Sequence, residues 1–290
     1  MTRLFCFGLG YTALALAELL RGDGFTMAGT TRSPEKAAAL RARGIEAHVL
    51  DPGRPLADLD AVLAGTSHLL ATVPPDGAGD PVLELHGQDL RRHSGILWAG
   101  YLSTTGVYGD HTGGWVDEET PLAPVGERGA RRVAAEAGWL ATGLPLHVFR
   151  LPGIYGPGRS VFEPLRAGRA QAVVKPGQVF SRIHVLDLAR ALRASMARPD
   201  PGRVYNVCDD EACASVEVQD FACDLLGLPR LPRVDFAAAA MTPMGRSFWA
   251  ESKRVSNARI KRELGFELRY PTYREGLRAI LAAEAGHDAP

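Results

Sequence analysis

Along the first half of the chain, apolar residues fall into short runs separated by longer stretches of helical spacing. Residues 4–7, 26–30, 46–50, 68–73, 97–103 and 146–151 read as six strands. Short buried strands alternating with helical patterns are the signature of successive βαβ units and a parallel sheet. Between residues 10 and 21, Ala13, Leu16, Ala17 and Leu20 recur at i, i+3, i+4 and i+7, which lays one apolar stripe toward a sheet. Ser33 followed by Pro34 supplies a cap and a proline at the first helical position, predicting a helix to residue 43. A further helix is predicted over 128–141.

After residue 151 the rhythm changes. Pro152, Gly153, Gly156, Pro157 and Gly158 cluster ahead of shorter elements. Helices are predicted at 185–196, 216–226, 257–264 and 272–284, and a strand at 204–207 that returns to the sheet. Residues 286–290 are expected to fray.

Composition narrows the chemistry. The 290 residues carry 33 basic and 33 acidic side chains, for a formal net charge of zero. With the basic residues scattered among acidic ones, there is no electrostatic footprint for nucleic acid. No run approaches the roughly 18 apolar residues of a membrane span, and because the chain enters a strand-like segment at once, no signal peptide is expected. A cytoplasmic protein, monomeric or homodimeric, acting on a small molecule is the expectation. Cys6, Cys208, Cys213 and Cys223 form no CxxC pair and have no histidine at zinc spacing, so no metal is expected. Cys6, in the first strand, reads as a small core residue.

The strongest chemical signal is Gly8-Leu9-Gly10-Tyr11-Thr12-Ala13, a GxGxxA placed directly after the first strand and opening the first helix. Gly8 permits the tight turn, Gly10 leaves the backbone bare for a pyrophosphate, and Ala13 allows close approach of helix and strand. The fold class predicted is therefore α/β, a Rossmann doubly wound parallel sheet with a smaller C-terminal substrate lobe. Residues 1–151 would bind the dinucleotide. Residues 152–290 would mainly form the substrate lobe, with about 182–207 returning to the sheet.

An NAD-selective site places Asp or Glu at the end of the second strand. Here that position reads Thr30-Thr31-Arg32-Ser33, with Lys36 one turn on. A carboxylate would repel a 2′-phosphate, whereas Arg32 and Ser33 offer a charged fork and a hydroxyl, so NADP is favoured over NAD. Arg32 stacked on adenine, or simply solvated, is the alternative. Asp51 either accepts from the adenine amino group or caps the next turn. Thr31, Thr72 and Val73 at strand ends, and Pro152 after the sixth strand, complete the expected cofactor wall.

Tyr101-Leu-Ser-Thr-Thr-Gly-Val-Tyr108-Gly-Asp resembles the fifth-strand motif of the extended short-chain dehydrogenase/reductases, the NAD(P)-dependent epimerase/dehydratase family. Arg150-Leu-Pro-Gly-Ile-Tyr155-Gly-Pro-Gly-Arg159, Arg182-Ile-His-Val-Leu-Asp187 and Val204-Tyr-Asn-Val are similar to that family's later motifs, in the right order. With Asn257-Ala-Arg-Ile-Lys-Arg-Glu-Leu-Gly, the chain resembles an atypical subgroup. The resemblance implies that Thr104, with Ser103 beside it, hydrogen-bonds the reacting oxygen.

It also exposes a departure. The family's YxxxK supplies an acid/base tyrosine and a lysine that lowers its pKa, but those positions here hold Arg128 and Arg132. Arginine, with a pKa above about 12, cannot exchange a proton near neutrality. Arg132 would hold the nicotinamide ribose or a substrate anion. Arg128 either clamps a carboxylate or phosphate or belongs to a solvated helix face.

Tyr108, Tyr155 and Glu127 are candidate replacements for the acid. In relatives, the tyrosine at the Tyr108 position is mostly part of the wall near the substrate. Tyr155 is the better fit for a substrate-pocket wall, together with Arg159, Arg182 and His184, although His184 reads first as a structural histidine. Lys175 and Lys253 would add charge to such a pocket or lie on the surface. Two functions remain: an NAD(P)-dependent epimerase, dehydratase or reductase acting on an anionic, sugar-nucleotide-like substrate, or a non-catalytic NADP-binding sensor.

Overall fold

The computed structural model describes residues 2–51 and 53–287. In chain order the elements are β1 (Thr2–Phe7), α1 (Tyr11–Leu20), β2 (Phe25–Thr31), α2 (Pro34–Ala42), β3 (Glu46–Val49), α3 (Leu59–Leu63), β4 (His68–Ala71), α4 (Pro81–Arg92) and β5 (Trp98–Thr104). There follow β6 (Trp115–Val116), α5 (Glu127–Leu140), β7 (Leu146–Leu151), β8 (Gly153–Tyr155), α6 (Phe162–Arg166), β9 (Ala172–Val174), β10 (Arg182–His184), α7 (Val185–Ala197) and β11 (Val204–Asn206). The chain ends with α8 (Ser215–Leu226), β12 (Arg233–Asp235), α9 (Pro243–Ser247), β13 (Arg254–Val255), α10 (Ala258–Leu264) and α11 (Tyr273–His287). Two compact units result, one from residues 1–107, 126–150 and 188–205, the other from 108–125, 151–187 and 206–290.

The first unit is a Rossmann-like α/β fold built on a mostly parallel seven-stranded sheet of order β11-β7-β5-β4-β1-β2-β3. β1 pairs in parallel with β2 on one side and β4 on the other, so the strand order reverses there. Its central strands β4, β5 and β7 are buried on both faces, which is why they read as apolar runs without alternation, whereas the edge strand β3 is exposed at both ends. Phe5, Phe7, Leu69, Tyr101, Trp139 and Val148 lie in one core cluster.

Helix α5 is held to that core by polar contacts as well as by packing. The Trp139 ring stacks on Tyr101 at 5.9 Å, and its Nε1 donates to Asp80 Oδ2 at 3.0 Å. Asp80 caps α4 as well, accepting from the amides of Val82 and Leu83. One turn earlier in α5, the buried Glu136 accepts from Arg150 at 2.8 Å and from the Ser103 hydroxyl at 2.5 Å. With every charge paired and the serine proton taken, this buried set avoids the heavy cost of an uncompensated charge.

The second unit contains three parallel two-stranded ribbons, β8–β10, β9–β12 and β6–β13. Asp187 Oδ1 and Oδ2 accept from the amides of Arg269 and Tyr270, each at 2.8 Å, anchoring the segment that leads into α11. The β8–β10 ribbon places His184 beside Tyr155, with ring centroids 5.2 Å apart and edge-on. A Cβ on Gly276 of α11 would come within 2.1 Å of Tyr155 Oη, so only glycine lets the helix lie so close. Asp209 donates its amide to the Arg182 carbonyl at 2.8 Å. Burial pushes its carboxyl up to about 8 and pulls the His184 imidazole down to about 4.

Most predicted elements lie within two residues of those formed. The fourth strand stops at Ala71, not Val73, because Thr72 turns its hydroxyl onto the carbonyls of Phe7 and Gly8. The returning strand ends at Asn206 and not at residue 207. α11 stays helical through Gly286 and His287, where fraying was expected; residues 288–290 of that tail lie outside the described residues. α4 fills one of the gaps between strands where a helical pattern was expected without bounds, and Asp80-Pro81 repeats the cap-and-proline signal of Ser33-Pro34. Residues 108–125, read as continuous with the first domain, group with the second unit. Among the described residues, no helix is long and apolar enough to cross a membrane, and all four cysteines are free and buried.

Asp209 gives a pH prediction. Its carboxyl titrates in the unfolded chain near the ordinary value of about 3.9. The folded protein therefore holds an extra proton between about pH 4 and about pH 8. Stability from this group is complete below that window, falls as pH rises through it and levels off above it. Asp209→Asn, which can still accept from Glu211, should be more stable than wild type at pH 9 by on the order of a few kcal/mol. The gap should close toward pH 4. Denaturant unfolding at intervals from pH 4 to 9 checks this, and a gap independent of pH would count against it.

Candidate functional site

The turn between β1 and α1 is built from both neighbouring strands. Gly8 has φ 96°, and its N–H donates to Thr30 Oγ1 at 2.9 Å. Its carbonyl accepts from Thr72 Oγ1 at 2.7 Å. A Cβ on Gly8 would lie 2.5 Å from that same Thr72 oxygen, so the position requires glycine on grounds of both conformation and space. Thr30 and Thr72 thus act by shaping the turn.

Gly10 is the N-cap of α1 and supplies no side-chain cap, and nothing lies within 4 Å of where its Cβ would stand. The first backbone bond of the helix is Leu14 N–H to the Gly10 carbonyl at 3.0 Å. Bare backbone, open space and the positive end of a ten-residue helix make a donor set suited to a diphosphate. Thr12 and Ala13 are buried beneath this turn, while Tyr11 is half-buried.

At the end of β2, Thr31 is half-buried and Arg32 exposed. Ser33 Oγ caps α2, accepting from the Lys36 amide at 3.1 Å. Asp51 is exposed, and its carbonyl accepts from Arg54 N–H at 2.9 Å. Val73 packs against the core of the unit. Pro152 belongs to the second unit.

At the end of β5, two adjacent hydroxyls have opposite fates because successive strand residues face opposite ways. Ser103 is turned to α5 and committed to Glu136, so it is not an alternative to Thr104. Thr104 is half-buried, and its Oγ1 accepts from the Gly106 amide at 3.2 Å, which leaves its proton to donate. Arg132 Nη1 donates to Tyr101 Oη at 3.0 Å and to the Leu102 carbonyl at 2.7 Å, two positions before Thr104. Arg128 is exposed on the first turn of α5. Glu127, an alternative acid, pairs with Arg131 at 2.6 Å on the exposed face.

The proton role considered for Tyr108 does not suit its surroundings. The residue is fully buried, and its Oη donates to Asn206 Oδ1 at 2.7 Å. Asn206 also donates its Nδ2 to the Ser256 carbonyl and its amide to the buried Glu118 carboxylate. Sequence reading quoted Asn206 only within its strand motif and missed this role. A buried asparagine at a strand end was the available signal, since such a side chain requires partners for both its donor and its acceptor.

In the second unit, the Tyr155 hydroxyl is covered by α11 at Gly276, so it forms packing and not an accessible phenol wall. His184 Nδ1 accepts from the Leu186 amide, consistent with a neutral structural imidazole. Arg182 donates to the Glu211 carbonyl at 3.2 Å and to Cys213 Sγ at 3.0 Å, with its guanidinium over the Tyr273 ring. Arg159 is exposed, and its backbone pairs with Gly156. Lys253 is buried and donates to the Gly109 carbonyl and to Glu251, while Lys175 donates to the Trp249 carbonyl. These lysines fasten loops of their own unit and are not loose surface charges.

No family model matches the chain. Protein YeeZ of Escherichia coli (strain K12) is 29% identical over 288 residues, covering 93% of this chain and 97% of YeeZ. A functionally unknown conserved protein from Silicibacter pomeroyi DSS has a solved structure that is 53% identical, with TM-score 0.91, covering 98% of this chain and 99% of that one. dTDP-glucose 4,6-dehydratase from Bacillus anthracis, solved in complex with NAD, is 18% identical with TM-score 0.78, covering 99% of this chain and 98% of that one. The chain belongs to the same family as the Silicibacter pomeroyi protein, is homologous to YeeZ, and shares the Rossmann-like fold of the NAD-dependent epimerases and dehydratases of the extended short-chain dehydrogenase/reductase group.

Proposed function

We propose that this protein is an NAD(P)-dependent enzyme of the epimerase, dehydratase or reductase kind. Its substrate would be a small anionic compound resembling a sugar nucleotide, its preferred cofactor NADP, and its setting the cytoplasm, as a monomer or homodimer. The observation that carries the reading is the uncapped start of α1, open in front of Gly10 and braced by Thr30 and Thr72. The fold shared with an NAD-complexed sugar-nucleotide dehydratase supports it.

The backbone from Gly8 to Ala13 would hold the diphosphate, and Arg32 the 2′-phosphate. A bound nicotinamide would supply the site of hydride exchange. Thr104, oriented by the Gly106 amide, would donate its proton to the reacting substrate oxygen and stabilise negative charge there. Arg132, with Nη1 fixed against β5, would use its remaining N–H groups on the nicotinamide ribose or on a substrate anion. Neither Arg128 nor Arg132 can relay a proton, so a group other than these two would exchange it.

A second reading, a dinucleotide-binding sensor without catalysis, is favoured by the arginines at the tyrosine and lysine positions and by the engagement of Tyr108 with Asn206.

Three measurements test these readings, and the last separates them. Titration with NADPH and NADH to millimolar concentration should show saturable binding, and no binding of either would end both. Arg32→Ala should weaken NADPH by about 1.5–3 kcal/mol while sparing NADH, as for one charge-assisted hydrogen bond. Equal losses would remove the 2′-phosphate role. Thr104→Ala should lower kcat for any hydride transfer by about 10²–10³-fold with cofactor affinity unchanged. Cofactor binding without transfer to any sugar nucleotide or related anion favours the sensor.

A further inference from the structure

The corner between β2 and α2 carries a charge that the motif reading left out. Ser33 Oγ donates to Glu35 Oε2 at 2.5 Å while it accepts from the Lys36 amide. A hydroxyl has one proton, so Ser33 cannot donate to a phosphate while Glu35 holds it. Glu35 stands in the first turn of α2, and the Ser33 hydrogen bond, followed by one from the backbone, lowers its carboxyl below the ordinary range. The carboxylate is therefore ionised throughout the neutral range. Arg32, Glu35 and Lys36 together bring a formal charge of +1 to a corner where a 2′-phosphate would bring about −1.5 to −2.

We propose that Glu35 is a specificity-determining residue: held at this corner by Ser33, its carboxylate accepts the ribose 2′-hydroxyl of NAD and opposes the 2′-phosphate that Arg32 attracts. The inference rests on the reading of the Gly8–Ala13 turn as a dinucleotide site. Its consequence is a corner that tolerates both cofactors, with the advantage of NADP held down by a built-in counter-charge. Electrostatics of this kind on an exposed surface is weak at physiological salt and stronger when salt is low.

The test compares dissociation constants for NADPH and NADH in wild type, Glu35→Gln and Glu35→Asp, by fluorescence titration at one low ionic strength. Glu35→Gln should tighten NADPH by about three- to tenfold and weaken NADH, and the effect on NADPH should shrink as salt is raised. Glu35→Asp, which keeps the charge, should stay near the wild-type ratio. An unchanged NADPH/NADH ratio in Glu35→Gln, or the same shift in Glu35→Asp, overturns the proposal. Wild-type protein that binds neither cofactor instead overturns the dinucleotide reading beneath it. Because Glu35 is exposed, thermal melting of both variants near the wild-type temperature suffices to exclude misfolding.

Discussion

Two threonine hydroxyls fix the glycine turn on which the candidate cofactor site is built. Thr30, from β2, accepts the Gly8 amide; Thr72, just past β4, donates to the Gly8 carbonyl. These are the two strands that flank β1, so the direction in which α1 leaves the sheet is set from both sides. The reversal of strand order falls at the same place, between β1 and β4, where a doubly wound sheet opens a crevice beyond its carboxyl ends. Open space lies in front of Gly10 at the start of α1, whereas a side chain at Gly8 would strike Thr72.

The second anchor is α5. Glu136 closes a buried set with Arg150 and Ser103, and Trp139 reaches Asp80, which itself caps α4. Together these contacts hold α5 against β5 and β7 and leave Arg132 lying on the end of β5. A guanidinium suits that place because one nitrogen can donate to both Tyr101 and Leu102 while the rest of the planar fork keeps its donors. Arg132 therefore places a positive charge at the strand end, with part of its donor set still available.

In the second unit, polar hubs work beside an apolar cluster that includes Phe162, Ala222, Tyr273, Leu277 and Ile280. Asn206 joins Tyr108, Glu118 and Ser256, while Asp187 holds the backbone ahead of α11. The unit's two-stranded ribbons have strands of only two or three residues, which are not stable alone and depend on such links. That dependence explains why residues such as Tyr108, Tyr155 and His184, which look chemical in the sequence, are engaged in holding segments together.

Local physics made the sheet strands, the first helices and the GxGxxA turn legible, since apolar period, caps and glycine placement act over a few residues. The same is true of the missing carboxylate after β2 and of the arginines at positions 128 and 132, which are facts of composition at a counted position. Partners were another matter. That Ser103 serves Glu136 while Thr104 keeps its proton, that Ser33 gives its hydrogen to Glu35, and that residues 108–125 join the second unit depend on contacts that spacing does not encode. The sequence by itself determined which groups are present and which elements carry them; the tertiary structure alone decided which of their protons and lone pairs are already taken, because a hydrogen bond is settled by distance and direction across the fold.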